Sequence, residues 1–247
     1  MKFLMLHAVD PEAAPSDPDR VSPAALEAWI QEMLSRGVLL DGSRLHPVSD
    51  ATTVRGRGTA AVVTDGPFAE TKEQVAGYDV IDCPDLDSAV AVAAAHPTTH
   101  LGAIEVRAFD DGMPDPVVPD QVPSGKLRYL MLVCADMRRA MTAARDAAAE
   151  GQVEPEGEVE DDDIDAWIAD AGPRRLYGWP LAFPDEAVTV RRIDGAVVTT
   201  DGPFAETKEQ IAGYDLLECT DLDDALAVAA GHPVADGGVL ELRPLRP

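Results

Sequence analysis

The sequence predicts an α+β protein in which two ferredoxin-like βαββαβ domains, joined head to tail, face each other as an intramolecular pseudo-dimer. Three observations lead there. The eleven residues TDGPFAETKEQ at 64–74 return unchanged at 200–210, and the 136-residue offset continues to Pro97 and Pro233 with 26 identities in 34 pairs. A period that long lies beyond the roughly 20 to 50 residues of a solenoid unit, so it marks a duplicated domain. The ends of each copy repeat as well: Phe3-Leu4-Met5-Leu6 answers Tyr129-Leu130-Met131-Leu132, and Ile104-Glu105-Val106-Arg107 answers Leu240-Glu241-Leu242-Arg243. Finally, strand and helix periodicities follow the split βαβ order, which leaves one face of each sheet without helices and in need of cover from the other copy.

A strand at 2–7 opens the first copy. A helix follows over 23–36, with Ser22 as its cap, Pro23 at the first helical position and Gly37 as its stop. Strands are expected at 52–55, 59–64 and 75–83, with the Asp65-Gly66-Pro67-Phe68 loop before the last of them. A second helix covers 86–95, with Asp85 as N-cap and Leu86, Ala89, Val90 and Ala93 on its apolar face. The closing strand at 103–109 alternates Ile104 and Val106 with Glu105 and Arg107, the pattern of a strand buried on one face.

Pro114, Pro116, Pro119 and Pro123 make 112–126 a linker between domains at 1–111 and 127–247. In the second copy an alanine-rich helix is expected over 136–150. A solvated acidic loop is expected over 152–165; Asp161, Asp163 and Asp165 have calcium-loop spacing, but Ala166 and Gly172 stand where glycine and glutamate are required. From Asp163 to Ala171 the first helix's pattern resumes, with Trp167 answering Trp29.

Forty-five acidic against 20 basic residues give a net charge of −25, which repels nucleic acid and anionic membrane surfaces alike. No run reaches the roughly 20 apolar residues of a membrane span, and the opening apolar stretch is too short for a signal peptide, so a cytoplasmic protein is expected. Cys83, Cys134 and Cys219 have neither CxxC spacing nor a histidine cluster and read as small buried residues, with no metal site and no cofactor expected.

The repeated DGPFAETKE run, the Gly77-Tyr78 and Gly213-Tyr214 pairs, and the opening and closing strands resemble the YCII-related family in its DGPF subgroup. The resemblance covers both copies. It implies a dimeric α+β barrel, here fused in tandem, from a bacterial family mostly without an assigned reaction. The family's proposed dyad is a histidine in the first helix and an aspartate before the proline ending the second helix. Those positions fall here on Leu26 and Ile164, and on His96 and His232, so the dyad does not carry over.

Candidate catalytic residues are therefore sought in the repeat: Asp65, Lys72 and His96, recurring as Asp201, Lys208 and His232. A carboxylate, an ammonium and a titratable imidazole suit proton transfer in a small molecule such as a lactone or enol. Each also has a structural reading. Asp-Gly-Pro is turn chemistry with the aspartate capping backbone N–H groups, Phe68 and Phe204 are core anchors, and the histidines are imidazolium ions at helix C-termini. Tyr78, Tyr214, Trp29 and Trp167 read as core packing, and His7 marks an asymmetry because Val133 replaces it. Three functions stay open: a small-molecule-binding barrel with lyase- or isomerase-like chemistry, an accessory partner of an extracytoplasmic-function sigma factor, and a non-catalytic scaffold. The pseudo-dimer leaves further oligomerisation open.

Overall fold

Local chemistry sets the helix starts as expected. In the computed structural model, which describes residues 1–12, 21–110, 125–139, 142 and 161–246, Ser22 Oγ accepts from Ala25 N at 3.3 Å. Asp85 Oδ1 accepts from Ser88 N at 2.8 Å, and its counterpart Asp221 from Asp224 N at 2.9 Å.

The first copy runs β1 (Lys2–Val9), α1 (Pro23–Ser35), β2 (Leu39–Arg44), β3 (Thr52–Arg55), β4 (Val62–Asp65), β5 (Gln74–Asp82), α2 (Leu86–Ala95) and β6 (Gly102–Ala108). The second repeats it with β7 (Leu127–Ala135), α3 (Asp161–Ala171), β8 (Arg175–Pro180), β9 (Val188–Ile193) and β10 (Ala196–Asp201). It ends with β11 (Gln210–Cys219), α4 (Leu222–Gly231) and β12 (Val239–Pro244). The linker expected at 112–126 lies outside the described residues up to 124. So do the alanine-rich helix at 136–150, apart from helical residues 137–139 and 142, and the acidic run up to 160. Helix α3 begins at Asp161, so Asp162, expected in the acidic loop, lies instead in its first turn, where a carboxylate interacts favourably with the helix dipole.

Two six-stranded antiparallel sheets result, in the orders β10-β9-β6-β1-β5-β2 and β4-β3-β12-β7-β11-β8. Four strands of each are the ferredoxin-like core of one copy. The remaining two are a hairpin donated by the other: β9 pairs with β6 through Val190 and Ile104, and β3 with β12 through Val54 and Leu240. This corrects the sequence reading at β2. The strands expected at 52–55 and 59–64 belong to the exchanged hairpin, while the core strand beside β5 is Leu39–Arg44.

Alternation along β1 sends Leu4 and Leu6 to a core between the two sheets, where they meet Val80, Leu130, Leu132 and Leu216. Phe3 and Met5 face α1 and α2 and pack with Trp29, Met33, Val92 and the donated Val190. The second copy buries Met131 and Trp167 in the same way with the donated Val54. Burying a large apolar side chain stabilises by roughly 1.5 to 3 kcal/mol, so each hairpin is held by its apolar contacts as well as by its ladder. All three cysteines are free and buried.

Candidate functional site

The repeated loops join the two copies. Gly66 and Gly202 take φ of +98° and +95°, and their N–H groups donate to Ala51 O and Ala187 O at 2.9 and 2.8 Å. Only glycine adopts such angles without strain. Phe68 N then donates to Glu241 of the second copy at 2.9 Å, and Phe204 N to Glu105 of the first at 3.0 Å. Glu73 pairs with Arg191, and Glu209 with Arg55 at 3.4 Å, again across the copies. Glu105 and Arg107, expected on a solvent face, are each 1% exposed and paired with one another. Their strand is covered on both sides because the other copy's loop lies over it. Where the loops meet, a cavity of about 30 Å³, lined among others by Phe68, Gln74, Arg107, Phe204 and Gln210, has room for roughly one or two waters.

Asp65 and Asp201 are exposed at the ends of the edge strands β4 and β10. Neither side chain accepts a hydrogen bond from a described residue, so the glycine rather than an aspartate cap makes the turn. Lys72 is 86% exposed with Nζ 3.8 Å from Asp10, and Lys208 is 77% exposed and 3.8 Å from Glu209. These four candidates lie on the surface. His96 and His232 are buried under the helices, 2% and 4% exposed, so the structure does not gather the six residues into one site.

Both histidines depart from the helix-dipole reading. Nδ1 of His96 accepts from Thr98 N at 3.0 Å, and Nδ1 of His232 from Val234 N at 3.1 Å. That fixes a neutral ring with its proton on Nε2. Burial holds His96 well below the usual imidazole range, helped by His7, and lowers His232 to about 3, helped by Arg175 and Arg57. They are neutral caps of the turns that follow α2 and α4.

Around His96 the first copy gathers a polar cluster. His7 Nε2 lies 2.9 Å from Asp79 Oδ2, and His96 Nε2 lies 3.6 Å from the same oxygen. The two imidazoles are 4.4 Å apart, and Trp29 meets His96 edge-on at 4.3 Å. Asp79 Oδ1 lies against Gly42, where a Cβ would come within 2.1 Å of it, and a Cβ on Gly77 would reach 3.3 Å from His7 Nδ1. Gly42 thus leaves space for the carboxylate, while at Gly77 the backbone oxygen of Ser43, 2.9 Å from such a Cβ, is the nearer obstacle.

The second copy solves the same position differently. Asp215 replaces Asp79, Val133 replaces His7, and Arg175, standing where the first copy has Leu39, donates to Asp215 at 2.6 Å. Burial raises the Asp215 carboxyl to about 6 despite that guanidinium. Trp167 Nε1 donates to Val228 O at 3.0 Å, whereas Trp29 Nε1 has no hydrogen-bond partner among the described residues.

His7, Asp79 and His96 place three potential ligand atoms within 4.8 Å of one another, which invites a metal. The His96 tautomer opposes it. A ligating histidine normally donates its other ring N–H, but here Nδ1 is an acceptor, so Nε2 would have to bind metal as part of an imidazolate.

The signals for this cluster were present in the sequence: an aspartate inside the apolar strand Gly77-Tyr78-Asp79-Val80, repeated at Asp215, and the His7/Val133 difference. The pairing of Asp79 with His7 was not readable, because the interaction joins neighbouring strands far apart in sequence.

Fold and repeated loop together define a tandem barrel protein. The YCII-related domain matches residues 1–110 and 131–247, and the chain belongs to that family. An uncharacterised protein of Rhizobium meliloti (strain 1021) is 42% identical over 86 residues, 33% of this chain and 68% of the relative.

Proposed function

We propose that the protein is a DGPF-type member of the family that binds a small molecule in its first copy and transfers a proton there, with His7 as the base. The contact between His7 Nε2 and Asp79 Oδ2 carries this reading. A carboxylate on one ring nitrogen holds the imidazole in place and favours the proton on that nitrogen, leaving Nδ1 as the basic atom. His7 and Asp79 keep about a tenth of their side chains exposed while His96 is sealed at 2%, so reaction is assigned to the His7 end.

The step is an enolisation. A C–H bond beside a carbonyl breaks, its electron pair moves onto the carbonyl oxygen, and the proton goes to His7 Nδ1; return of the proton at a neighbouring atom completes an isomerisation. The repeated loops, whose carboxylates and amides bind across the copies, serve assembly in this reading.

The test follows the exchange of α-protons of small ketones in deuterium oxide by proton NMR. The double variant His7→Val with Leu39→Arg gives the first copy the second copy's solution, so Asp79 keeps a cation and the fold is kept. Exchange should fall by about 10²-fold or more, the usual worth of a positioned base. A folded double variant that exchanges at the parent rate would rule out His7.

A further inference from the structure

We infer that the cavity where the repeated loops meet is a water site, in which about one or two waters link the side-chain amide of Gln210, in the second copy, to Nε of Arg107, in the first. The inference uses none of the residues of the proton-transfer site. Its basis is a difference between two identical stretches of sequence. In the first copy Gln74 Nε2 donates to Thr71 O at 2.7 Å and to Thr71 Oγ1 at 3.2 Å. In the second, the Gln210 amide makes no hydrogen bond to a described residue, although Gln210 is 6% exposed and lines the cavity. Arg107, 1% exposed, lines it as well. Its Nη1 donates to the carbonyl oxygen of Ile211, the residue after Gln210, and its Nε has no hydrogen-bond partner among the described residues. Arg243, the counterpart of Arg107, reaches His46 O at 2.8 Å instead.

Chemistry then selects the occupant. Buried polar groups are nearly always paired, with protein or with ordered water. Arg107 Nε is a donor only, while the Gln210 amide both donates and accepts. A water accepts from the first and donates to the oxygen of the second. Glu105 and Glu241 also line the cavity and offer acceptors for a water's second proton. An ion fits less well: Glu105 is already paired with Arg107 and Glu241 with Arg243, so a further charge would be buried without a partner. A volume of about 30 Å³ also leaves no room for an organic ligand. A bridging water is nearly as favourable as a direct hydrogen bond, so it joins the second motif to the closing strand of the first copy.

The test uses the full chain in solution. The Gln210 side-chain amide protons, assigned from the backbone, should show a rotating-frame Overhauser effect to water with the sign of dipolar contact. Thr207 lines the same cavity, and its hydroxyl exchanges with solvent and mimics water in this measurement; in Thr207→Val the effect should persist. Oxygen-17 relaxation dispersion counts long-held waters. Gln210→Met should lower that count by about one or two. Gln74→Met, whose parent amide is satisfied within its own loop, should leave it unchanged.

Absence of the Overhauser effect in the parent protein overturns the inference whether or not a variant folds. So does its loss in Thr207→Val, which would assign it to the hydroxyl, or an equal water count in Gln210→Met and the parent. Equal losses in Gln210→Met and Gln74→Met overturn it too, because the two amides would then be solvated alike.

Discussion

Tyr78 and Tyr214 occupy equivalent places between the sheets and meet different neighbours. The Tyr78 hydroxyl donates to Asp41 Oδ2 at 3.0 Å, and Tyr177, which stands where the first copy has Asp41, donates to the same oxygen. The Tyr214 hydroxyl is buried without a hydrogen-bond partner among the described residues. Burial pushes all three phenols up, with the Asp41 charge contributing, so they remain neutral donors. Tyr78→Phe should cost about 1 to 3 kcal/mol, since a buried carboxylate loses a donor. Tyr214→Phe, which removes an unsatisfied hydroxyl, should be neutral or mildly stabilising. Urea denaturation of both variants decides it, and equal losses would contradict the assignment. At this scale the sequence was informative about burial: Tyr78, Tyr214, Trp29 and Trp167 were read as packed residues and are buried. It was silent on Asp41, whose phenol partners come from two other strands, one of them in the other copy.

Among the elements, helix ends were legible in part. Caps at Ser22 and Asp85 follow from residue type, whereas the two histidines, read as charged helix ends, are neutral caps because of burial that only the packed structure supplies. This has a pH consequence. A neutral buried histidine binds no proton as pH falls below its unfolded value near 6.5, whereas the unfolded chain does, so stability is present above that value and falls with pH below it. His232, lowered to about 3, takes up a proton on unfolding across about pH 6 to 4, and His96 adds to that uptake in the same direction. Asp215, raised from 3.8 to about 6, carries a proton in the folded state that the unfolded state lacks between about pH 6 and 4, which offsets one. Asp215 thus offsets His232 across that window, and the remaining loss of stability with falling pH follows the direction set by buried His96. His232→Gln, whose amide oxygen can accept from Val234 N, should flatten their share. Denaturation midpoints at pH 6, 5 and 4 test it, and an unchanged slope in the variant would remove His232 from the account. The element that escaped reading was β2. Its Asp41-Gly42-Ser43 centre has little strand propensity, and Gly42 is there because the Asp79 carboxylate occupies the space of a side chain.

For the whole molecule, duplication and face-to-face packing were readable from the eleven-residue repeat and the need to cover each sheet. The hairpin exchange was not, since alternation in β3 and β9 is the same whichever sheet receives them. Exchange couples the halves: neither sheet is complete without two strands of the other copy, and the loop carboxylates bind across the divide. Calorimetry should therefore give one transition with equal calorimetric and van't Hoff enthalpies. Two resolved transitions would show that the halves unfold independently.

The substitution of Leu39 and His7 by Arg175 and Val133 has a meaning in heredity. In a homodimer encoded by a single-copy gene, every replacement arises twice, and a trial that spoils one site spoils both. Once the two subunits share one chain, one can hold its buried aspartate with an arginine while the other holds the equivalent aspartate with a histidine. The fused gene is free to vary one side because the other side is no longer obliged to follow.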